Sequence, residues 1–453
     1  MSTSLPGTSG TSIAPMGGSC VRLAMPYSFE KSRWSIRGRR RHRRVLPLAA
    51  RNRVPRHPPR RCDDSGVKSK KVARPAVQAV NTLTARWCDR LGGEDYALSG
   101  AGLWPLLALL ASAADGPAGA ELGAALGRPT DTAQQEALEI IDLLHGGVST
   151  TAALGLWTRK GVPLDDDWAS PLPKEVLGAL TNQAALDRWA DEQTGGLIDK
   201  FPIEITEKTL LVLASALTAR VRWRTPFEGY PRVRGETWPD DPGPADQQSL
   251  SRTTSDLSIA AVLDDAVTRV VVEGDGDVDV HLLLGEDQSP AEILGAGLRE
   301  LSGQAQVRLA ADTGNRCGPG LTVERLKSPR PKDILRLSLP SFEIKTKHNL
   351  LDNRDLFGLG LLTDTTTSHL PRLSPIPLAI SDGAQDVLAR FFAEGFEAAA
   401  VTAFGMMTGA LEPRYEVTYA RVDFDRPFGF LAVHRPSRLA VVAGWVKSPF
   451  QQD

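Results

Sequence analysis

EGFEAAAVTA, residues 394–403, is the stretch on which the reading of this chain turns. Gly395 offers a flexible start, and Ala398, Ala399 and Ala400 lead into Val401, Thr402 and Ala403. Composition alone favours a helix, because alanine has the highest helix propensity. At the strand period of two, Ala398, Ala400 and Thr402 share one face, and Glu397, Ala399, Val401 and Ala403 share the other. Side chains this small let a strand slip between existing strands without a clash.

Three neighbouring stretches decide between helix and strand. They are WADEQTGGLI (189–198), RVRWRTPF (220–227), and FDRPFGF (424–430) with GWVKSP (444–449). Together with the Glu394–Gly395 hinge they stand in order across roughly 260 residues, which makes the set far more specific than any one motif. In kind and order they resemble the serpin family, and the chain reads as a bacterial serpin-like protein. The resemblance runs more weakly over residues 75–449. It implies an α+β fold: a large central mixed β-sheet, two smaller sheets, eight to nine helices and an exposed reactive-centre loop at about 394–420.

The resemblance also implies a mechanism and a site. A serine or cysteine protease attacks the loop, and the cut loop inserts as an added strand in the large sheet, so the partner is the protease and the protein is a suicide inhibitor, not an enzyme. The hinge is Glu394, Gly395, Phe396, Glu397 and the small residues through Ala403. Phe396 departs from the family, which carries Thr, Ser or Val there; a Phe either fills an apolar slot or slows insertion. Counting fourteen residues from the hinge Gly puts the scissile bond between Gly409 and Ala410, whereas counting back from Pro427 gives Glu416. Met406, Met407, Leu411, Arg414 and Tyr415 are further specificity candidates. Trp223 matches the tryptophan at the top of the gap, and Ser99, Ser215 and Gln385 match a polar cluster beneath it. Ser215 and Gln385 stand in place of Asn and His; Gly100 and Gly102 replace a Pro and a second Ser. A non-inhibitory binding protein on the same fold is the alternative reading.

Charge divides the chain. Residues 1–74 hold 18 Lys and Arg against 3 Asp and Glu, a balance of +15, so the remaining residues carry −16. RGRRRHRR (37–44) cannot bury a core, and this extension is expected to be disordered, with nucleic-acid binding a third functional reading. Residues 75–453 are expected to form one serpin-like, monomeric domain. Cys20, Cys62, Cys88 and Cys317 lack metal-site spacing, and a disulfide framework is not expected. No apolar run approaches a membrane span. No cofactor or metal is implied. Extracellular location follows from the family, cytoplasmic location from the absence of a recognisable export signal.

Periodicity places the elements. Val80, Leu83, Trp87 and Leu91 mark the apolar face of a first helix, and Pro105 is expected in the first turn of a second. Residues 133–145 and 290–301 read as helices. The apolar run 209–219 reads as a strand covered on both faces. Residues 232–255 read as an exposed loop, 269–285 as two strands around a Gly-Asp-Gly turn, and 334–344 as the strand across the gap. No G-x-S-x-G, P-loop, H-E-x-x-H or paired C-x-x-C occurs, and His281 and His434 read as structural.

Overall fold

The computed structural model describes residues 74–231, 248–313, 317–396 and 414–448. The basic extension up to residue 73 therefore lies outside the described residues. The described helices are α1 Arg74–Cys88, α2 Gly100–Ala113, α3 Gly116–Leu126, α4 Thr130–His145, α5 Asp166–Ala169, α6 Gln183–Thr194 and α7 Pro290–Leu301. The strands begin with β1 Tyr96–Leu98, β2 Thr150–Thr158, β3 Leu177–Ala179, β4 Leu211–Ala219, β5 Val221–Arg222, β6 Glu228–Pro231 and β7 Gln248–Thr254. They continue with β8 Ala260–Leu263, β9 Val267–Val272, β10 Val278–Leu284, β11 Val307–Leu309, β12 Leu321–Ser328, β13 Ile334–Pro340 and β14 Phe342–Asn349. The last are β15 Ala384–Phe391, β16 Gly395–Phe396, β17 Tyr415–Asp423, β18 Phe428–His434 and β19 Leu439–Val446.

Seven strands form one antiparallel sheet in the order β1-β19-β18-β10-β9-β8-β11. Its β10, β18 and β19 are buried along their whole length, as their largely apolar runs suggest, with Asp279, His281 and His434 buried among them. A five-stranded sheet runs β12-β17-β13-β7-β6, with β13 parallel to β17. A third layer comes in two pieces, β3-β2-β4 and β14-β15. Taken as halves of one sheet, with β2 parallel to β3, these pieces supply the mixed sheet expected from the sequence.

Helix α2 explains how the layers stack. It is apolar all round and buried on nearly every side, as a central helix must be. It packs on β4 to one side and β19 to the other. Ser99 caps its N-terminus, accepting a hydrogen bond from Gly102 N at 3.0 Å. Because this cap starts the helix at Gly100, Pro105 sits in the second turn and not in the first, where the sequence placed it. An aromatic stack joins the layers: Phe342 of β14 lies 5.4 Å from Phe391 of β15 and 5.1 Å from Phe430 of β18. Each such pair adds about 0.5–1.5 kcal/mol beyond area burial.

Two further expectations are corrected. Residues 248–254 are strand β7 and not loop: its Ser and Thr side chains tolerate a pleat, and β6 and β13 pair with its two edges. Ile334–Pro340 is not the strand across the gap. It belongs to the five-stranded sheet, and after Pro340 the chain leaves that sheet to begin β14. The strand across the gap is β15.

Candidate functional site: a slot between two strands

No ladder joins β4 to β15 among the described residues, and the space between them is a cavity of about 170 Å³. β4 alternates across it. Leu211, Leu213 and Leu217 pack against the main core, while Val212 and Ala214 pack under α6 with Ala190 and Phe201. Both faces are covered, as the apolar run predicted. On β15, Val387, Ala389 and Phe391 point to the core. The roof is α6 with the residues that follow it, where Trp189 stands edge-on to Trp157 at 4.9 Å. The motif WADEQTGGLI builds this roof. Thr194 Oγ1 donates to Ala190 O and accepts from Ile198 N, and Gly195 ends the helix at φ 61°.

The floor is the polar cluster read from the sequence. Gln385 brackets Ser99, accepting from its backbone N at 2.8 Å and donating to its O at 2.9 Å. Ser99 Oγ donates to Val441 O at 2.7 Å, and Ser215 Oγ donates to Gly102 O at 2.6 Å. Ser99, Ser215 and Gln385 thus meet at the N-terminus of α2. A Cβ placed on Gly102 would make ordinary contacts of 3.4–3.6 Å with Ser99, Gln385 and Ser215, so the cluster has room for a side chain this sequence omits. Asp386 also lines the slot; burial raises its carboxyl pKa, and its Oδ1 has no partner among the described residues.

The mouth of the slot holds the start of the hinge. β15 ends at Phe391, and the chain reverses, with Phe392 N donating to Gly395 O at 2.9 Å. β16 then runs antiparallel to β5, pairing Gly395 with Arg222 and Phe396 with Val221. Since β5 follows β4 with Arg220 alone between them, β16 heads back along the gap beside β15. Trp223 fastens the reversal: its N donates to Glu394 O and its Nε1 to Phe392 O, both at 2.9 Å. Gly395 is required by close approach, because a Cβ there would lie 2.2 Å from Val221 O. Phe396 is buried, 6.2 Å from Phe430, and lines the top of the cavity.

The remaining hinge residues Glu397, Ala398, Ala399, Ala400, Val401, Thr402 and Ala403 lie outside the described residues, as do Met406, Met407, Gly409, Ala410 and Leu411. Arg414 is exposed, its N–H donating to Ser328 O at 3.0 Å. Glu416 stands in β17, opposite Lys327 of β12. Strand β12 was missed from the sequence; its signals are Leu321 and Val323 two apart and the Ser328-Pro329 stop.

Asp277, His434 and Ser437 also come together, but as a staple. Ser437 Oγ lies 2.7 Å from His434 Nδ1 and accepts from Leu439 N at 3.3 Å. The Asp277 carboxylate accepts from Val148 N and Ser149 N at 2.7 and 2.8 Å. The cluster ties the β18–β19 turn to the start of β2. No group of His, Cys, Asp and Glu suited to a metal occurs among the described residues.

A sheet parted by a slot, with a tether entering its mouth from the neighbouring strand, is the serpin fold. The model of the family described as "Serpin (serine protease inhibitor)" matches residues 318–449. The chain is 24% identical over 340 residues to antitrypsin of Bombyx mori, covering 69% of this chain and 79% of that protein. It is 19% identical over 316 residues to an uncharacterized serpin-like protein of Methanosarcina mazei, covering 67% and 68%. Among solved structures, a thyroxine-binding globulin complex with thyroxine superposes with a TM-score of 0.62 at 15% identity, covering 83% of this chain and 99% of that one. These relatives are insect and archaeal, so they add nothing to the expected bacterial source.

Proposed function

We propose that this protein inhibits serine endopeptidases as a suicide substrate. The observation that carries the reading is the slot: among the described residues the edges of β4 and β15 face each other without a ladder, and β16, which leads on to residue 397, pairs with β5 at its mouth. A protease attacks the loop and forms its acyl-enzyme. The freed hinge side then continues the path that β16 begins, adding a strand between β4 and β15. Each new backbone hydrogen bond is worth about 1 kcal/mol net. A strand bonded on both edges gains roughly ten of them, enough to drag and distort the attached protease before it deacylates.

The Gly409–Ala410 bond fits this reading better than Glu416. β17 holds Glu416 in its ladder with β12, opposite Lys327, whereas a protease needs extended backbone free to enter its cleft. Incubation with a panel of chymotrypsin-, subtilisin- and trypsin-like proteases tests the proposal. A covalent complex that survives SDS is expected; cleavage near residue 409 with no complex would overturn it.

A second reading is a non-inhibitory serpin-fold binding protein. It is favoured by the Phe396 ring, which already occupies the mouth and so reduces what is left to gain on insertion. Cleavage without complex and without added heat resistance is its signature. Unchanged DNA binding after removal of residues 1–74 would exclude a nucleic-acid role for the extension.

A further inference from the structure

Strand β12 lies beside the end of the loop. It pairs antiparallel with β17 over eight positions, from Leu321↔Val422 to Ser328↔Tyr415. β13 pairs with the other edge of β17, starting at Ile334↔Tyr419. β17 is therefore flanked by two strands that follow one another in sequence. Residues 329–333, which join them, must arch across the N-terminal end of β17, where the loop arrives. The arch is fixed: Thr418 N donates to Asp333 Oδ1 at 2.7 Å, and Arg330 N donates to Ser328 Oγ at 3.2 Å.

The strand and the arch are basic. Arg325, Lys327, Arg330 and Lys332 are exposed, and none forms an ion pair among the described residues. Residues 324–336 with 414–416 hold six cations and three carboxylates (Glu324, Asp333 and Glu416). This patch of +3 sits on a body of −16. Edge strands often carry Lys and Arg to repel other strands. That accounts for Arg325 and Lys327 but not for Arg330 and Lys332, which lie on the arch.

We propose that this strip is a docking surface for an acidic face of the protease that attacks the loop. Four residues separate Gly409 from Arg414, whose N–H donates to Ser328 O at the foot of the arch, so the bond lies within about 17 Å of Arg414 along a fully extended chain. A protease seated on the bond is held within reach of the strip. The acidic body repels an acidic protease while the strip attracts it, and that combination orients the encounter and raises its rate. The proposal rests on the inhibitory reading only in needing a protease to reach the loop.

The test uses the full chain carrying Lys327→Glu, Arg330→Glu and Lys332→Glu together. The rate of loop cleavage is read with two proteases of one specificity, one acidic and one basic at the surface. The basic extension is present in both proteins and cancels. With the acidic protease the rate should fall about tenfold at low ionic strength, and the difference should vanish near 0.5 M salt. With the basic protease it should hold or rise, and the melting temperature should not move. Equal rates for both proteins with the acidic protease overturn the proposal. So does a variant that merely loses retention on dextran sulfate, which would make the strip a polyanion site. Cleavage rate reads the encounter and complex yield reads insertion, so failure of the docking surface is distinct from failure of inhibition.

Discussion

Phe396 is the residue where sequence and mechanism meet. From sequence alone it is as much an obstacle to insertion as a filler. Its burial against Phe430 and its pairing with Val221 mean that the ring has already been accommodated. Phe396→Thr should therefore destabilise the intact protein, by up to the roughly 3–5 kcal/mol of truncating a buried Phe, and lower its melting temperature. It should also shift the product ratio from covalent complex towards cleaved chain, because the pre-formed start of the strand is lost. A rise in complex on an SDS gel would restore the obstacle reading. His281 gives a second test at this scale. Burial first, and then the charges of Arg269 and Arg438, hold its pKa down to about 3, against the pull of Asp279. The unfolded chain takes that proton near pH 6.5, and the folded chain refuses it. Stability is therefore full above 6.5 and declines as the pH falls, by at most about 1.4 kcal/mol per unit for one such group. His281→Asn should flatten that decline between about pH 6.5 and 4 in urea midpoints; an unchanged slope would assign it to other groups.

Strand β12 shows what an element adds. Without it, the edge of β17 away from β13 would be bare next to the loop; with it, the strand after the loop is fastened on both sides. Neighbouring residues of a strand send their N–H groups to opposite edges, so of Glu324 and Arg325 one donates towards β17 and the other outward. Glu324→Pro and Arg325→Pro should thus differ. One should cost about 1–3 kcal/mol through a lost ladder bond, and the other should be tolerated as an edge proline. Equal midpoints in chemical denaturation would mean the ladder carries no stability. Legibility followed the same divide. α1, α7, β4 and the β9–β10 hairpin were plain in the sequence because one apolar period runs through each. Ser99, Ser215 and Gln385 were plain because motif spacing carried them. β7 and β12 were hidden because QSLSRTT and LTVERLKS are polar, and their strand character comes from neighbours far along the chain. The break between β13 and β14 has a signal that a single-strand reading passes over: the apolar positions shift from Leu335, Leu337 and Leu339 to Phe342 and Ile344, a change of phase at Pro340.

At the scale of the whole molecule, the fold holds back an interaction it could make. Among the described residues no strand pairs with the facing edges of β4 and β15, and on the inhibitory reading proposed above the hinge side of the loop is the strand that would. Cutting the loop should make the protein more heat-resistant. About ten new hydrogen bonds of about 1 kcal/mol each correspond to roughly 10–15 °C for a domain of this size. Calorimetry on chain nicked by a non-target protease reads this directly, and an unchanged transition would mean that the slot does not accept the strand. The same hollow has a mechanical consequence. Compression favours whichever state wastes less space, and eliminated internal voids contribute to unfolding volume changes of roughly 20–100 mL/mol. The intact protein should therefore yield to hydrostatic pressure more readily than its nicked form, in which the hollow is filled from within.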